Sequence, residues 1–172
     1  MTAPREFDPI RALQTLNRHG VRYVLIGGFA GKLLGSTILT VDIDICYARD
    51  RPNLERLASA LQELHAYLRG APEGLPFRLD ADTLQRGDSF TFVTDAGDLD
   101  ILGTPSGTTG FEELSRNATS LDLGEVTVQV AALEDLMAMK RASGRPRDRI
   151  HLEVLAALRD EIEREAGAEA ET

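Results

Sequence analysis

The sequence contains a single cysteine, Cys46, among 172 residues. No internal disulfide can form from it, and no zinc set can be assembled from it with His19, His65 and His151. No histidine is placed as an obvious base, so Cys46 reads as core or strand-end filling rather than as a nucleophile. No apolar run approaches the roughly 20 residues that span a bilayer. The opening residues Met1-Thr2-Ala3-Pro4-Arg5-Glu6 lack the basic-then-apolar build of a secretory signal, and the expected location is the cytoplasm. Positive charge is also scarce: the net charge is −9 and no extended basic face is evident, which argues against tight nonspecific RNA binding. What is present is 42% hydrophobic content, enough at this length for one domain with a real core and too short a chain for two. The expected single domain covers residues 1–172, with a core at about 8–162 and an acidic tail at 163–172.

Two short segments carry the chemistry. In Val41-Asp42-Ile43-Asp44-Ile45, strand alternation points Asp42 and Asp44 the same way and turns Val41, Ile43 and Ile45 toward the core. Mutual repulsion would raise the pKa of one acid unless a cation sat between them, and adjacent hard oxygens suit Mg²⁺ or Mn²⁺. The pair alone is equally compatible with the solvated face of an edge strand. A second acid-bearing strand, Asp98-Leu99-Asp100-Ile101-Leu102, repeats the alternation, with Asp100 between apolar neighbours and Asp98 abutting Gly97. If the strands pair, facing side chains approach to about 5 Å, and Asp100 joins Asp42 and Asp44 around one or two metals. Three such carboxylates are costly to fold without a cation, which favours function over decoration.

Ahead of the first acids, Val21 to Ile26 reads as a compact strand followed at once by Gly27-Gly28 and a short helix opening at Phe29. Without side chains a phosphate can approach the backbone, where free N–H groups and a helix start favour an anion. A tight turn that merely needs glycine would look the same, but here thirteen residues separate Gly28 from Asp42.

Gly27-Gly28, that spacer, Asp42-Ile43-Asp44 and Leu99-Asp100-Ile101 resemble the signature of the polymerase-beta-type nucleotidyltransferase superfamily. The short Gly-Gly-x-Ala opening is most similar to minimal bacterial nucleotidyltransferases and to the AbiEii-type toxins of type IV toxin-antitoxin systems. The resemblance implies that Asp42, Asp44 and Asp100 bind divalent metal, Mg²⁺ or Mn²⁺, that orients an NTP such as ATP and activates an acceptor hydroxyl. It suggests a tRNA end as acceptor and an antitoxin protein as partner. The family often has Gly-Ser where this chain has Gly27-Gly28, so Ser36 in Leu34-Gly35-Ser36-Thr37 becomes the candidate hydroxyl for phosphate.

The segment from Lys140 to Arg149 places five cations within ten residues of an otherwise acidic chain, a local reversal of sign that attracts triphosphate or nucleic acid. Lys140 lies on a helix expected from Leu133 to Ala142. It is the candidate anion ligand, although Lys140 and Arg141 could equally complement that helix's C-terminal end. The related toxins carry a mixed basic and acidic cluster here, and His151 stands where a further acid is expected. The roles of Arg141, Arg145, Arg147, Asp148 and His151 stay open at this level.

Along the rest of the chain, Asp8 and Pro9 start a first helix that stops at Gly20, and Pro52 starts a long helix with Leu54, Leu57, Ala58, Leu61, Leu64 and Leu68 at helical spacing. Phe77 to Leu79 reads as a strand, and Ser89 to Thr94 pairs with Leu99 to Leu102 through a turn at Asp95-Ala96-Gly97. Gly103 to Gly110 is a loop that either closes over substrate or only connects. Val126 to Val130 is a further strand, the last helix runs from about Pro146 to Ile162, and the tail from Glu163 is expected to fray. The pattern implies an α+β (α/β-like) fold, a partly antiparallel mixed sheet with helices on one side. A haloacid-dehalogenase-type phosphatase fits poorly, because Ile45 and Cys46 follow the acids and no later Gly-Asp-x-x-x-Asp set exists, and a D-x-D glycosyltransferase needs a longer chain. Two functional expectations result. One is a metal-dependent nucleotidyltransferase moving NMP from an NTP to an acceptor hydroxyl on RNA, protein or a small molecule. The other is a non-catalytic nucleotide-binding or regulatory module of the same fold.

Overall fold

The computed structural model describes residues 5–72 and 74–172. The opening stretch Met1 to Pro4 therefore lies outside the described residues, as does Glu73 in the turn-rich segment. The first helix, α1 (Pro9–Arg18), begins where expected: Asp8 Oδ1 accepts from Arg11 N at 3.1 Å, proline occupies the first turn, and Gly20 ends it at φ +70°. Next come β1 (Tyr23–Ile26), α2 (Gly27–Leu33), β2 (Asp42–Tyr47) and α3 (Arg51–Glu63). Asp50 caps α3, accepting from Asn53 N at 3.1 Å. The chain continues through β3 (Tyr67–Leu68), α4 (Ala81–Arg86), β4 (Ser89–Thr94), β5 (Gly97–Leu102), α5 (Phe111–Asn117), β6 (Thr119–Asp122), β7 (Thr127–Val130), α6 (Leu133–Ser143) and α7 (Pro146–Ala170).

Among the described residues the strands form one seven-stranded mixed sheet, ordered β3-β4-β5-β2-β1-β7-β6. β2 lies antiparallel to β1 and parallel to β5, while β4 and β5 form the anticipated hairpin. Ile43, Ile45, Leu99, Ile101 and Phe92 join Leu13, Leu16, Leu54, Leu57 and Leu61 in one buried core. All four residues of β1 are buried, so the sheet centre is covered on both faces rather than one. On one of those faces, α2 packs against β1, β2 and α6, and α6 packs against α7. Among the described residues no helix is long and apolar enough to cross a membrane.

Several expectations are corrected. The strand expected at Phe77 to Leu79 is irregular chain, because Phe77 packs its ring on Phe90 and Phe92, at 6.4 and 6.2 Å between centroids, instead of pairing in the ladder. The edge position is taken by β3. The acidic tail does not fray: α7 continues to Ala170, although every residue from Asp160 onward is exposed. Cys46 does not end its strand, which continues to Tyr47.

Candidate active site

Strand register decides which acids meet. Across the parallel pair, Asp42 aligns with Asp98 and Asp44 with Asp100, and Ile26 lies opposite Asp44 on the other side. Asp42, Asp44 and Asp100 converge so that one oxygen from each lies within 4.8 Å of the others. Thr40 Oγ1 donates to Asp42 Oδ1 at 3.0 Å and steadies the first acid. Burial, reinforced by the charges of Asp42 and Asp100, pushes the Asp44 carboxyl up to about 7. Asp100 is also raised by burial, although the guanidinium of Arg69 opposes the shift. Such a cluster stores electrostatic cost, and three hard carboxylate oxygens on adjacent strands are a donor set suited to Mg²⁺ or Mn²⁺.

The glycine turn is built against this cluster. Gly27 has φ +73°, and a β-carbon there would collide with the Asp44 carboxylate. At Gly28 a β-carbon would stand 3.1 Å from Thr40 Cβ. Both glycines, the three acids, Ser36 and Lys140 border one cavity of about 550 Å³. Ser36 is buried; its Oγ accepts from Ile38 N at 3.2 Å, and the hydroxyl hydrogen is left to donate elsewhere. The three acids, the two glycines, Ser36 and Lys140 therefore share one volume.

Lys140 is not a loose cation. Its Nζ donates to Asp148 Oδ1 at 3.2 Å, and Asp148, only 1% exposed, also accepts from Ser143 Oγ at 2.7 Å and from Arg145 N and Nε, each at 3.1 Å. Burial by itself would lift the Asp148 carboxyl, but the bonds from Ser143, Arg145 and Lys140 outweigh it and hold the group well below the usual carboxylate range. Arg145, Arg147 and His151 continue the cavity wall, whereas Arg141 is exposed outside it. Burial and the charge of Lys140 lower the His151 pKa and so disfavour its charged form. One wall is thus cationic, facing an acidic floor.

Gly103 to Gly110 supplies Pro105 and Ser106 to the cavity. Gly103 N donates to Asp88 O at 2.8 Å and Thr104 N to Asp88 Oδ2 at 3.1 Å. A β-carbon on Gly107 would stand 2.8 Å from Ala138 O, so this loop is packed directly on α6. Arg69 went unseen in the sequence. It follows β3, donates from Nη2 to Asp100 Oδ1 at 2.7 Å, and sits in a turn 31 residues before its partner, without a motif to mark it.

No family model matches the chain, and no curated protein does. Among solved structures it is similar to the lincosamide antibiotic adenylyltransferase LnuA in its lincomycin-bound form, at 14% identity and a TM-score of 0.59, over 90% of this chain and 99% of that one. It is also similar to the antibiotic-resistance factor ANT(2'')-Ia, at 12% identity and a TM-score of 0.51, over 95% of each. Likeness at this identity shows the fold, a mixed sheet with flanking helices shared with these two proteins.

Proposed function

We propose that the chain is a metal-dependent nucleotidyltransferase that moves NMP from an NTP to an acceptor hydroxyl. The observation that carries this reading is the convergence of Asp42, Asp44 and Asp100 beside a glycine turn, in a cavity whose facing wall is cationic. The three carboxylates would hold Mg²⁺ or Mn²⁺. When bound, the ion supplies Lewis-acid stabilisation of charge on the α-phosphate and on departing pyrophosphate. Gly27 and Gly28 leave room for the triphosphate to lie against bare backbone, and Ser36 offers a hydroxyl donor. Lys140, held by Asp148, presents a fixed positive charge to the phosphates. The acceptor oxygen forms its bond to the α-phosphorus as the α–β bridge breaks. Asp100 accepts the proton the hydroxyl gives up, and pyrophosphate carries away the bonding electrons.

The acceptor belongs to one of three classes: an RNA or tRNA end, a protein side chain, or a small hydroxyl compound. The fold likeness to an adenylyltransferase of lincosamide antibiotics adds weight to the small-molecule class, with ATP as donor. The motif resemblance supports a toxin of a type IV toxin-antitoxin pair, acting on tRNA in the cytoplasm and restrained by an antitoxin. Thermal unfolding of wild type and Asp44→Asn with each of the four NTPs, with and without Mg²⁺, tests the core of the reading. A ligand at a hundred times its Kd adds about 2.7 kcal/mol. A magnesium-dependent rise confined to wild type supports it, and no rise with any nucleotide rejects a self-sufficient enzyme and leaves a partner-dependent site or a binding scaffold.

A further inference from the structure

Arg69 reaches the carboxylate cluster from the β3 edge of the sheet, whereas Lys140 comes from α6. Across the ladder Tyr67 faces Val93 and Val93 faces Asp98, so the end of β3 presents Tyr67 and Arg69 on the face that carries the acids. The guanidinium then crosses β4. Its Nη2 donates to Phe92 O at 3.1 Å and to Asp100 Oδ1 at 2.7 Å, and its Nε comes within 3.3 Å of Asp98 Oδ2. That Nε is the one buried side-chain nitrogen or oxygen among the described residues without an aligned hydrogen-bond partner. Its hold on Asp98 is therefore one of charge rather than of hydrogen-bond geometry.

The charge inventory shows why a cation is needed there. Asp42, Asp44, Asp98 and Asp100 project from the same face of two adjacent strands. Of the cations lining the cavity, Lys140 and Arg145 already pair with Asp148 and Arg147 is exposed, whereas Arg69 contacts the third acid directly. Its bond commits one oxygen of Asp100, and a divalent ion bridging onto that oxygen would meet a guanidinium at close range.

We propose that Arg69 occupies the place of a second divalent cation, so that the cluster of Asp42, Asp44 and Asp100 holds one metal ion per chain in the absence of nucleotide. This rests on the reading of that cluster as a metal site. Arg69 is in this sense a resident cation: it stabilises the ion-free protein and competes with ions for the third carboxylate. Its removal has two opposed consequences. The ion-free protein loses stability, while the more negative cluster binds ions more tightly and admits a second. A residue serving only to orient Asp100 would give the reverse on binding, since a released carboxylate is a poorer ligand.

The test counts Mn²⁺ bound to the full chain, without nucleotide, from the electron paramagnetic resonance signal of the free ion. The expected result is one ion for wild type and for Arg69→Lys, and two for Arg69→Met, with the first at least tenfold tighter than in wild type. Thermal melting without metal should place Arg69→Met below wild type. Two ions on wild type, or Mn²⁺ binding by Arg69→Met that is unchanged or weaker, overturns the proposal while leaving the metal site standing. No ion on wild type overturns the metal reading as well, which separates the two failures. Should Arg69→Met not fold, Arg69→Gln takes its place: two ions with tighter binding of the first supports the proposal, and binding that is unchanged or weaker rejects it.

Discussion

Replacing Asp44 by Asn should stabilise the metal-free protein, in a pH-dependent way that the site's electrostatics fix in advance. Burial and the charges of Asp42 and Asp100 raise the Asp44 carboxyl from 3.8 to about 7 in the folded chain. The native state therefore holds a proton that the unfolded state gives up near pH 4, and folding stability falls as pH rises between those two values. Below pH 4 the acid is protonated in both states and costs nothing. Above pH 7 the whole penalty applies, on the order of 4 kcal/mol for about three pKa units. Asparagine keeps the shape and removes the charge. In differential scanning calorimetry with a chelator present, Asp44→Asn should match wild type at pH 4 and melt higher at pH 8. For a chain of this size the gain is roughly 8–16 °C, at about 2–4 °C per kcal/mol. Added Mg²⁺ should raise wild type at pH 8 and leave the variant nearly unmoved, narrowing the gap. A variant less stable than wild type at pH 8 without metal, or a gap that does not change with pH, would refute the reasoning that these carboxylates repel one another around a cation site.

Three further outcomes follow from the geometry. Gly27→Ala forces a side chain onto a φ of +73° and into the Asp44 carboxylate; it should cost about 1–3 kcal/mol and abolish Mg²⁺-dependent stabilisation by NTP, both read from melting curves. Asp148→Asn leaves Lys140 and Arg145 facing a neutral amide; a loss of about 3 kcal/mol in urea unfolding at pH 7 is expected, together with a raised KM for NTP. Because the Asp148 pKa is depressed in the folded state, wild type should lose that advantage as pH falls through the acid range, and the two proteins should converge there. Asn53→Ala removes a fully buried amide that accepts from Arg22 N at 2.7 Å and donates to Arg22 O at 3.1 Å and Ala48 O at 2.7 Å. About 2–3 kcal/mol of destabilisation should appear in chemical unfolding, with the metal response of the surviving folded protein intact.

The sequence by itself determined the local parts of this protein. Alternation along Asp42 to Ile45 and Leu99 to Leu102 assigned each acid a face, because a strand has a strict period of two; Val41, expected to turn toward the core, instead precedes the strand and is exposed. Gly27-Gly28 marked the turn, because few other residues fit the left-handed backbone of Gly27. Asp8 with Pro9, and Pro52, placed helix starts to within a residue, because the signal lies within four residues of the structure it makes. Boundaries failed where a local signal competed with a distant one. Phe77 to Leu79 has strand-like residues, but the rings of Phe90 and Phe92 recruited Phe77 into packing, and the tail from Glu163 lacks an apolar stripe yet extends a helix already nucleated in α7. Only the tertiary structure decided which acids become neighbours, since parallel pairing of β2 with β5 depends on a crossover no local pattern encodes. It also converted Lys140 from a candidate free cation into one held by Asp148, and it brought Arg69 to Asp100 across 31 residues of chain. Those are charge contacts between segments far apart in sequence. They leave no periodicity or motif to read, because their partners are set by sheet order rather than by spacing.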